Sequence, residues 1–243
     1  MKIKNKFPNP FLVAMCFILM LSDNCTKHDD SNFPQVITDI DGNIYHTIKI
    51  GSQIWIMENL KTTHYRNGDP IPTSEYDWGE TTGEYCNYFN DSNIANTYGR
   101  LYNWYAVKDN RNLAPAGWHV PTDAEWTTLT DYLTNNGYGY EGSGNDIAKS
   151  MAVPSGWKTS SIAGTVGNDA FSNNNSGFTA LPGGRRYFIY WAFIDFSSCG
   201  YWWSTTESGI DKAWNRHICF SDSTVVKESN LKQSAYSVRC IKD

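Results

Sequence analysis

Three features of the sequence predict an α+β fold. Strand-like segments group toward both ends of the chain, helical periodicity is confined to the middle, and Gly, Pro, Asn and Asp interrupt the segments at short intervals.

The first strand group reads as a meander: Val36–Asp39, then Asn43–Ile50, then Gln53–Met57. Asp41-Gly42-Asn43 and Gly51-Ser52 separate them with residues that suit tight turns. Between Lys61 and Thr97 no period is sustained, and Tyr76, Trp78, Tyr85, Tyr88 and Phe89 are scattered through the stretch. A loop of that length is expected to carry function or to be pinned by contacts.

Leu101, Trp104 and Tyr105 follow helical spacing, which predicts a short helix over Gly99–Val107. The clearest local signal comes next. Thr122 and Glu125 form a capping-box pattern after Pro121, and Trp126, Leu129 and Leu133 repeat along one helical face until Gly137. A third short helix is predicted over 145–151. The run Gly137–Gly142 matches GxGxxG by letter, but it follows a helix where a dinucleotide fingerprint must follow a strand, so it reads as a loop. The later predicted strands are Phe178–Leu181, Arg186–Phe193, Gly200–Thr205, Trp214–Phe220 and Ser234–Ile241.

Lys2, Lys4 and Lys6 precede the apolar run Phe11–Leu21. That run is shorter than the roughly 20 residues a membrane helix needs, and it fits the core of a secretory signal. Cys25 then resembles the acylated cysteine of bacterial lipoproteins, although Ser22 and Asn24 stand where Leu and a small residue are usual. The acidic, Lys-containing stretch after it resembles the surface-export tags of some Bacteroidetes lipoproteins. The expected organisation is a signal peptide over 1–24, a lipid-anchored tether over 25–35 and one domain over 36–243. The expected location is the outer membrane or cell surface, with a secreted or periplasmic product of ordinary signal cleavage as the alternative.

The formal net charge of −5 lacks the basic footprint that non-specific binding to DNA or RNA requires. Only 19 % of residues are charged, while 15 % are aromatic, so amides and hydroxyls must solubilise much of the surface. This suits an extracellular, loop-rich domain. Cys16 leaves with the signal and Cys25 would carry lipid, so Cys86, Cys199, Cys219 and Cys240 are left. An even number in an oxidising compartment predicts two disulfides. Three pairings are open. Cys219 with Cys240, both in strand-like C-terminal segments, and Cys86 with Cys199 is the first choice, and reduced thiols are the alternative.

Several long motifs are similar to those of the Fibrobacter succinogenes major paralogous domain family. They include Asp39–Tyr45, Gly51–Trp55, Met57–Thr62, Tyr98–Trp104, Gly117–Thr122, Glu125-Trp126, Gly177-Phe178, Leu181–Arg185, Tyr201–Thr206 and Ser237–Asp243. The resemblance runs from about residue 36 to the C-terminus. It implies an exported protein, often a lipoprotein, and carries no established activity or catalytic residues. Pro121-Thr122, Glu125-Trp126, Gly183-Gly184 and the Trp-Ser pair are also similar to the formylglycine-generating-enzyme and C-type-lectin-like fold. That implies a twisted antiparallel sheet, two or three short helices and long ordered loops.

Candidate chemistry is sparse. Asp39, Asp41 and Asn43 do not complete an EF-hand loop. Trp214-Asn215-Arg216 puts an arginine where lectins of that fold place a calcium ligand. No metal ligand is assigned, because His46, His64, His119 and His217 miss metal-site spacing, and no cofactor is expected; calcium in the long loops is left open. No nucleophile motif of the G-x-S-x-G type appears. Copper-dependent oxidase chemistry at Cys219 and Cys240 suits those cysteines less well than a disulfide. Asn173, Asn174, Asn175, Arg185, Arg186, Tyr190 and Trp191 read as exposed loop and ridge residues, where aromatic faces and amides suit sugars. The leading expectation is a non-catalytic module that binds glycan or another extracellular ligand. A structural or adhesive protein with an envelope-protein partner comes second, and an oxidase or hydrolase third.

Intact mass of the protein from its membrane fraction is expected to show a diacylated or triacylated chain beginning at Cys25. A soluble species with Cys25 unmodified would refute the anchor.

Overall fold

The computed structural model describes residues 35–73 and 81–243. The expected signal peptide, Cys25, and the tether up to residue 34 lie outside the described residues, as do Tyr76 and Trp78.

The N-terminal meander forms as its alternation predicts: β1 (Val36–Thr38), β2 (Ile44–Ile50) and β3 (Gln53–Ile56) pair antiparallel, with Thr38 opposite Ile44 and Ile50 opposite Gln53. Asp39 closes the first turn by accepting the backbone N–H groups of Asp41 at 3.0 Å and Asn43 at 2.9 Å. Its other oxygen accepts the buried Tyr45 hydroxyl at 2.6 Å, which locks the turn to the core.

β4 (Tyr85–Cys86) ends the long irregular stretch. The following helix α1 (Ser92–Tyr98) was not expected from the sequence. Only Ala95 of it is buried, so it carries no apolar period; Asp91 caps it by accepting the Asn93 N–H at 2.8 Å. The single helix expected over 99–107 is in fact β5 (Leu101–Asn103) followed by α2 (Trp104–Lys108). Asn103 causes the switch, because its side-chain oxygen accepts the Ala106 N–H at 3.0 Å and so caps a helix that starts after it. Gly99 precedes β5 at φ 77°, and a Cβ there would lie 2.6 Å from that of Asn59.

After β6 (Trp118–His119), the capping box opens α3 (Asp123–Asn135) as expected, and Trp126, Leu129 and Leu133 are its buried face. The third predicted helix is α4 (Ala148–Met151). The expected strand Phe178–Leu181 does not form. Thr179 has a left-handed backbone, φ 61°, and only Ala180 makes a bridge, to Ala152.

The expected strand Arg186–Phe193 is instead a hairpin of β7 (Gly183–Tyr187) and β8 (Ala192–Phe196), reversed at Phe188–Trp191. β9 (Cys199–Glu207) and β10 (Lys212–Cys219) follow as predicted, while β11 (Val226–Leu231) is a polar edge strand that gave no signal. The last predicted strand divides into β12 (Ala235–Tyr236) and β13 (Ile241–Lys242).

Two sheets result. One runs β1-β2-β3-β13-β6; the other runs β11-β10-β9-β7-β12-β5-β4, with β8 on β7. The contact of β7 with β9 is parallel and the other named pairs are antiparallel. At that crossing Gly184 stands opposite Gly200, and a Cβ on Gly184 would meet the Ile194 carbonyl at 2.6 Å. The protein is thus mixed α and β, mostly sheet with a few short helices.

Tryptophans fill the interior. Trp55, Trp104, Trp118, Trp126, Trp202 and Trp203 are buried. Trp126 packs against Trp55 at 4.9 Å and Phe178 at 5.8 Å between ring centres, and Trp203 stacks on Tyr236 at 4.2 Å. Their indole N–H groups find carbonyls: Trp104 on Ser204, Trp126 on Trp203 and Trp203 on Tyr102.

Arg239 is wholly buried. Its guanidinium donates to Asn59 Oδ1 at 2.8 Å, to the Ile56 and Phe178 carbonyls at 2.9 Å and to the Thr179 carbonyl at 2.7 Å. Asn59 Oδ1 also accepts the Trp202 indole at 2.9 Å, while its amide nitrogen donates to the Tyr98 carbonyl at 2.8 Å. The Phe178 and Thr179 carbonyls therefore serve Arg239, which is why that segment needs no partner strand. Burial draws the Arg239 pKa down to about 9, so it keeps its charge at neutral pH.

The cysteines pair differently from the first choice. Cys199 and Cys219 stand opposite each other on β9 and β10 and form a disulfide, with a Cα separation of 4.0 Å. Cys86 and Cys240 are buried free thiols. Cys240 packs in the main core beside Tyr45, whereas Cys86 lies in a separate cluster with Tyr88 and Leu101, so neither expected pair is formed.

His119 bridges α3 and the C-terminal residue. Its Nε2 lies 2.8 Å from Glu125 Oε1 and its Nδ1 2.7 Å from Asp243 Oδ1, so the doubly protonated ring satisfies both. Burial alone would lower its pKa, but the two carboxylates hold it above the ordinary value. Burial likewise opposes ionisation of Glu125, yet the Thr122 N–H and His119 hold its carboxyl below the ordinary range.

Arg239→Met would leave three carbonyls without this donor. Unsatisfied buried acceptors cost about 1–3 kcal/mol each, so urea unfolding is expected to show a loss of at least about 3 kcal/mol. For His119, a raised folded pKa gives stability that is present below about pH 6.5 and lost as pH rises through the folded value. For Glu125, a lowered folded pKa gives stability present above about pH 4.3 and lost as pH falls. The contact therefore contributes most between those limits. Unfolding of wild type and His119→Gln across pH 4–9 should show their difference shrinking above that window.

Candidate functional site

Two loops meet over α4. The first is the GxGxxG run after α3, which ends in a 3-10 turn at Tyr140–Gly142; the second carries a 3-10 turn at Ala170–Ser172. Between them lies a depression of about 300 Å³ whose walls include Tyr138, Tyr140, Glu141, Phe171, Asn173 and Asn175. Non-glycine residues in left-handed conformation shape both walls: Glu141 at φ 60°, Asp169 at φ 45° and Asn174 at φ 69°. Such conformations persist only where surrounding contacts impose them.

Asp146 supplies such a contact to the first wall, accepting the Tyr140 N–H at 3.1 Å, and Lys149 of α4 supplies them to the second. Lys149 is buried, and its ammonium donates to the Asn168 carbonyl, to the Asp169 carbonyl at 2.7 Å and to Asn173 Oδ1 at 2.9 Å. Burial lowers its pKa. The amide nitrogen of Asn173 donates to the Val153 carbonyl at 3.2 Å and the Val166 carbonyl at 3.1 Å. Asn174 Oδ1 accepts the Thr179 N–H at 2.9 Å. An oxygen cage is thus filled by the protein's own cation. Around it, Phe171 is 93 % exposed, and Tyr140, Glu141 and Asn175 are also exposed. The depression offers two aromatic faces, a carboxylate and an exposed amide.

The sequence-expected residues divide into three places. Asn173 and Asn175 line the depression, Asn173 with its side chain committed to the cage and Asn175 without a side-chain hydrogen bond among the described residues; Asn174 props the loop from behind. Tyr190 and Trp191 are exposed at the tip of the β7–β8 hairpin, and Phe188 ties that tip to Ser234 through a 3.2 Å hydrogen bond. Arg185 and Arg186 are not ridge residues. Arg185 donates to Asp195 Oδ2 at 3.0 Å and lies over the Tyr187 and Tyr201 rings at 4.2 and 4.3 Å. Arg186 is 1 % exposed, because alternation along β7 turns it inward, which corrects the reading of it as surface.

Sequence reading missed Lys149, Tyr140 and Phe171. The only signal for them was an isolated lysine in a predicted helix and aromatics in Gly/Asn-rich loops. A second polar cluster was also missed, because its members are far apart in sequence. Asp41 holds His64 Nδ1 at 2.5 Å and accepts the Thr62 and Thr63 hydroxyls at 3.1 and 3.0 Å. Burial alone would raise the Asp41 pKa, but these donors and the Thr63 N–H hold it below the ordinary range. His64 lines a cavity of about 210 Å³ with Asp39, Arg66 and Leu113.

Residues 48–242 match the Fibrobacter succinogenes major domain family, and the chain belongs to it. No curated protein and no solved structure matches the chain. Among the described residues, no helix is long and apolar enough to cross a membrane.

Lys149→Met is expected to empty the oxygen cage and cost about 2–3 kcal/mol, as loss of charge-assisted hydrogen bonds does. Limited proteolysis should then cut within 168–176, while a wild-type rate of cleavage there would refute the caging role.

Proposed function

We propose that this is an exported, non-catalytic module, anchored at the cell surface, that binds glycan in the depression between the two loops. A C-type-lectin-like arrangement is part of the same reading. The observation that carries it is the convergence of exposed Tyr140 and Phe171 with Asn175 and Glu141 around a loop core held rigid by Lys149. Apolar sugar faces stack on aromatic rings, and amides and carboxylates take the hydroxyls. A rigid site loses little ordering entropy on binding. Because the loop's central cation is an ammonium, binding should be equal with calcium and with chelator.

The second reading is an adhesive protein with an envelope-protein partner. It is favoured by the β7–β8 tip, where Ile189, Tyr190 and Trp191 are 53 %, 68 % and 57 % exposed. Apolar side chains grouped on a surface suit a protein face better than a sugar.

A glycan array followed by calorimetry separates the two. Phe171→Ala and Tyr140→Ala are each expected to weaken glycan binding about five- to tenfold, since an aromatic contact contributes about 1 kcal/mol. Trp191→Ala should leave it unchanged. No glycan binding, or binding lost only with Trp191→Ala, would overturn the proposal.

A further inference from the structure

The disulfide between β9 and β10 sits in an arrangement that its structural role does not explain. The ligand atoms of His217, Cys219 and Asp222 all lie within 4.8 Å of one another, and they are partly buried. Cys199, bonded to Cys219, brings a second sulfur to the same place.

Each member is held ready by the fold. His217 and Cys219 are two residues apart on β10, so both project from the same face of the sheet. The turn after β10 folds Asp222 back, with its Oδ2 accepting the Cys219 N–H at 3.0 Å. That leaves the other carboxylate oxygen for a further partner. Neither ring nitrogen of His217 makes a hydrogen bond among the described residues, and its Nδ1 is shielded from solvent; Glu228 Oε2 stands 3.6 Å away. Tyr201 covers the ring at 5.2 Å between centres. A buried imidazole nitrogen without a partner is costly unless something else engages it.

We propose that Cys199, Cys219, His217 and Asp222 form a redox-gated site for a zinc-like divalent ion. Two thiolates, one imidazole and one carboxylate make a four-coordinate set suited to tetrahedral Zn²⁺. In the oxidised protein both sulfurs are committed to each other and the site is closed. An external dithiol opens it. Its two sulfurs give up two electrons and two protons and become a disulfide, and the S–S bond becomes two thiols. Zn²⁺ then displaces both thiol protons as it binds. Cys219 is the less buried of the pair, so it is the sulfur an incoming thiolate reaches first. Tetrahedral coordination at about 2.0–2.3 Å requires His217 and Asp222 to draw in toward Cys219, while the two sulfurs, no longer bonded, move apart; the end of a strand and its turn permit both.

The test uses the purified protein, oxidised or reduced with a phosphine, titrated with Co²⁺ and then Zn²⁺ under anaerobic conditions. The reduced protein should take one Co²⁺ per chain, with thiolate-to-cobalt charge transfer and intense tetrahedral d–d absorption that stoichiometric Zn²⁺ abolishes. Oxidised protein should show neither band. Cys219→Ser should reduce the charge-transfer signal at least about twofold, Cys199→Ser/Cys219→Ser should remove it, and His217→Asn should weaken affinity at least about tenfold. A Cys86→Ala/Cys240→Ala variant should bind as wild type does, because those thiols are elsewhere. Zn²⁺ should also raise the Tm of reduced but not of oxidised protein. Absence of the bands in reduced protein that is still folded by circular dichroism would overturn the proposal. So would undiminished bands in Cys219→Ser, or a reduced protein that unfolds and is not restored by Zn²⁺.

Discussion

The buried guanidinium of Arg239 is the contact that ties β3, the segment after it and the 178–179 stretch into one core. It is a buried cation whose hydrogen-bond partners are neutral oxygens, and such a charge is tolerated only when its donors are well placed. Those partners come from the end of β3, the segment after it, and the 178–179 stretch. Asn59 extends the reach to Trp202 on β9 and to the end of α1. Four of the segments that carry the resemblance to the family, those holding Asn59, Phe178, Trp202 and Arg239, therefore meet at one point. Their common role is architectural.

What was legible in the sequence was what local physics decides. The capping box of α3 and the Gly42 and Gly51 turns depend on residues a few positions apart, and they form where expected. Elements set by distant partners were misread. Leu101–Asn103 carried helical spacing by coincidence, and a cap at Asn103 together with pairing to β4 and β12 made it a strand. Phe178–Leu181 has the composition of a strand, but Arg239, some 60 residues later, takes its carbonyls. The disulfide followed strand register, which no count of cysteines reveals. Of the candidate ligand residues, the asparagine run did mark the depression through Asn173 and Asn175, because amides in a Gly-rich loop must be either structural or exposed. Arg186 failed because alternation along a strand cannot be phased without knowing which face is inward.

The depression and the hairpin tip show two ways of presenting aromatic residues. Phe171 sits on a loop whose shape is set from below by Lys149, and Tyr140 on one pinned by Asp146. Tyr190 and Trp191 instead sit on a reversal supported by neighbouring rings, Tyr187 at 5.2 Å and Phe188 at 5.3 Å. The first arrangement favours selectivity for one shape. The second spreads apolar area over a protruding turn.

The placement of β12 and β13 makes both sheets depend on distant parts of the chain. β12 lies inside the larger sheet between β7 and β5, and β13 lies inside the smaller one between β3 and β6. Each sheet is therefore closed by a two-residue strand that fills a gap between elements far upstream of it. Contacts of such long sequence separation must overcome loop-closure entropy before they contribute stability, so this topology folds slowly for its size.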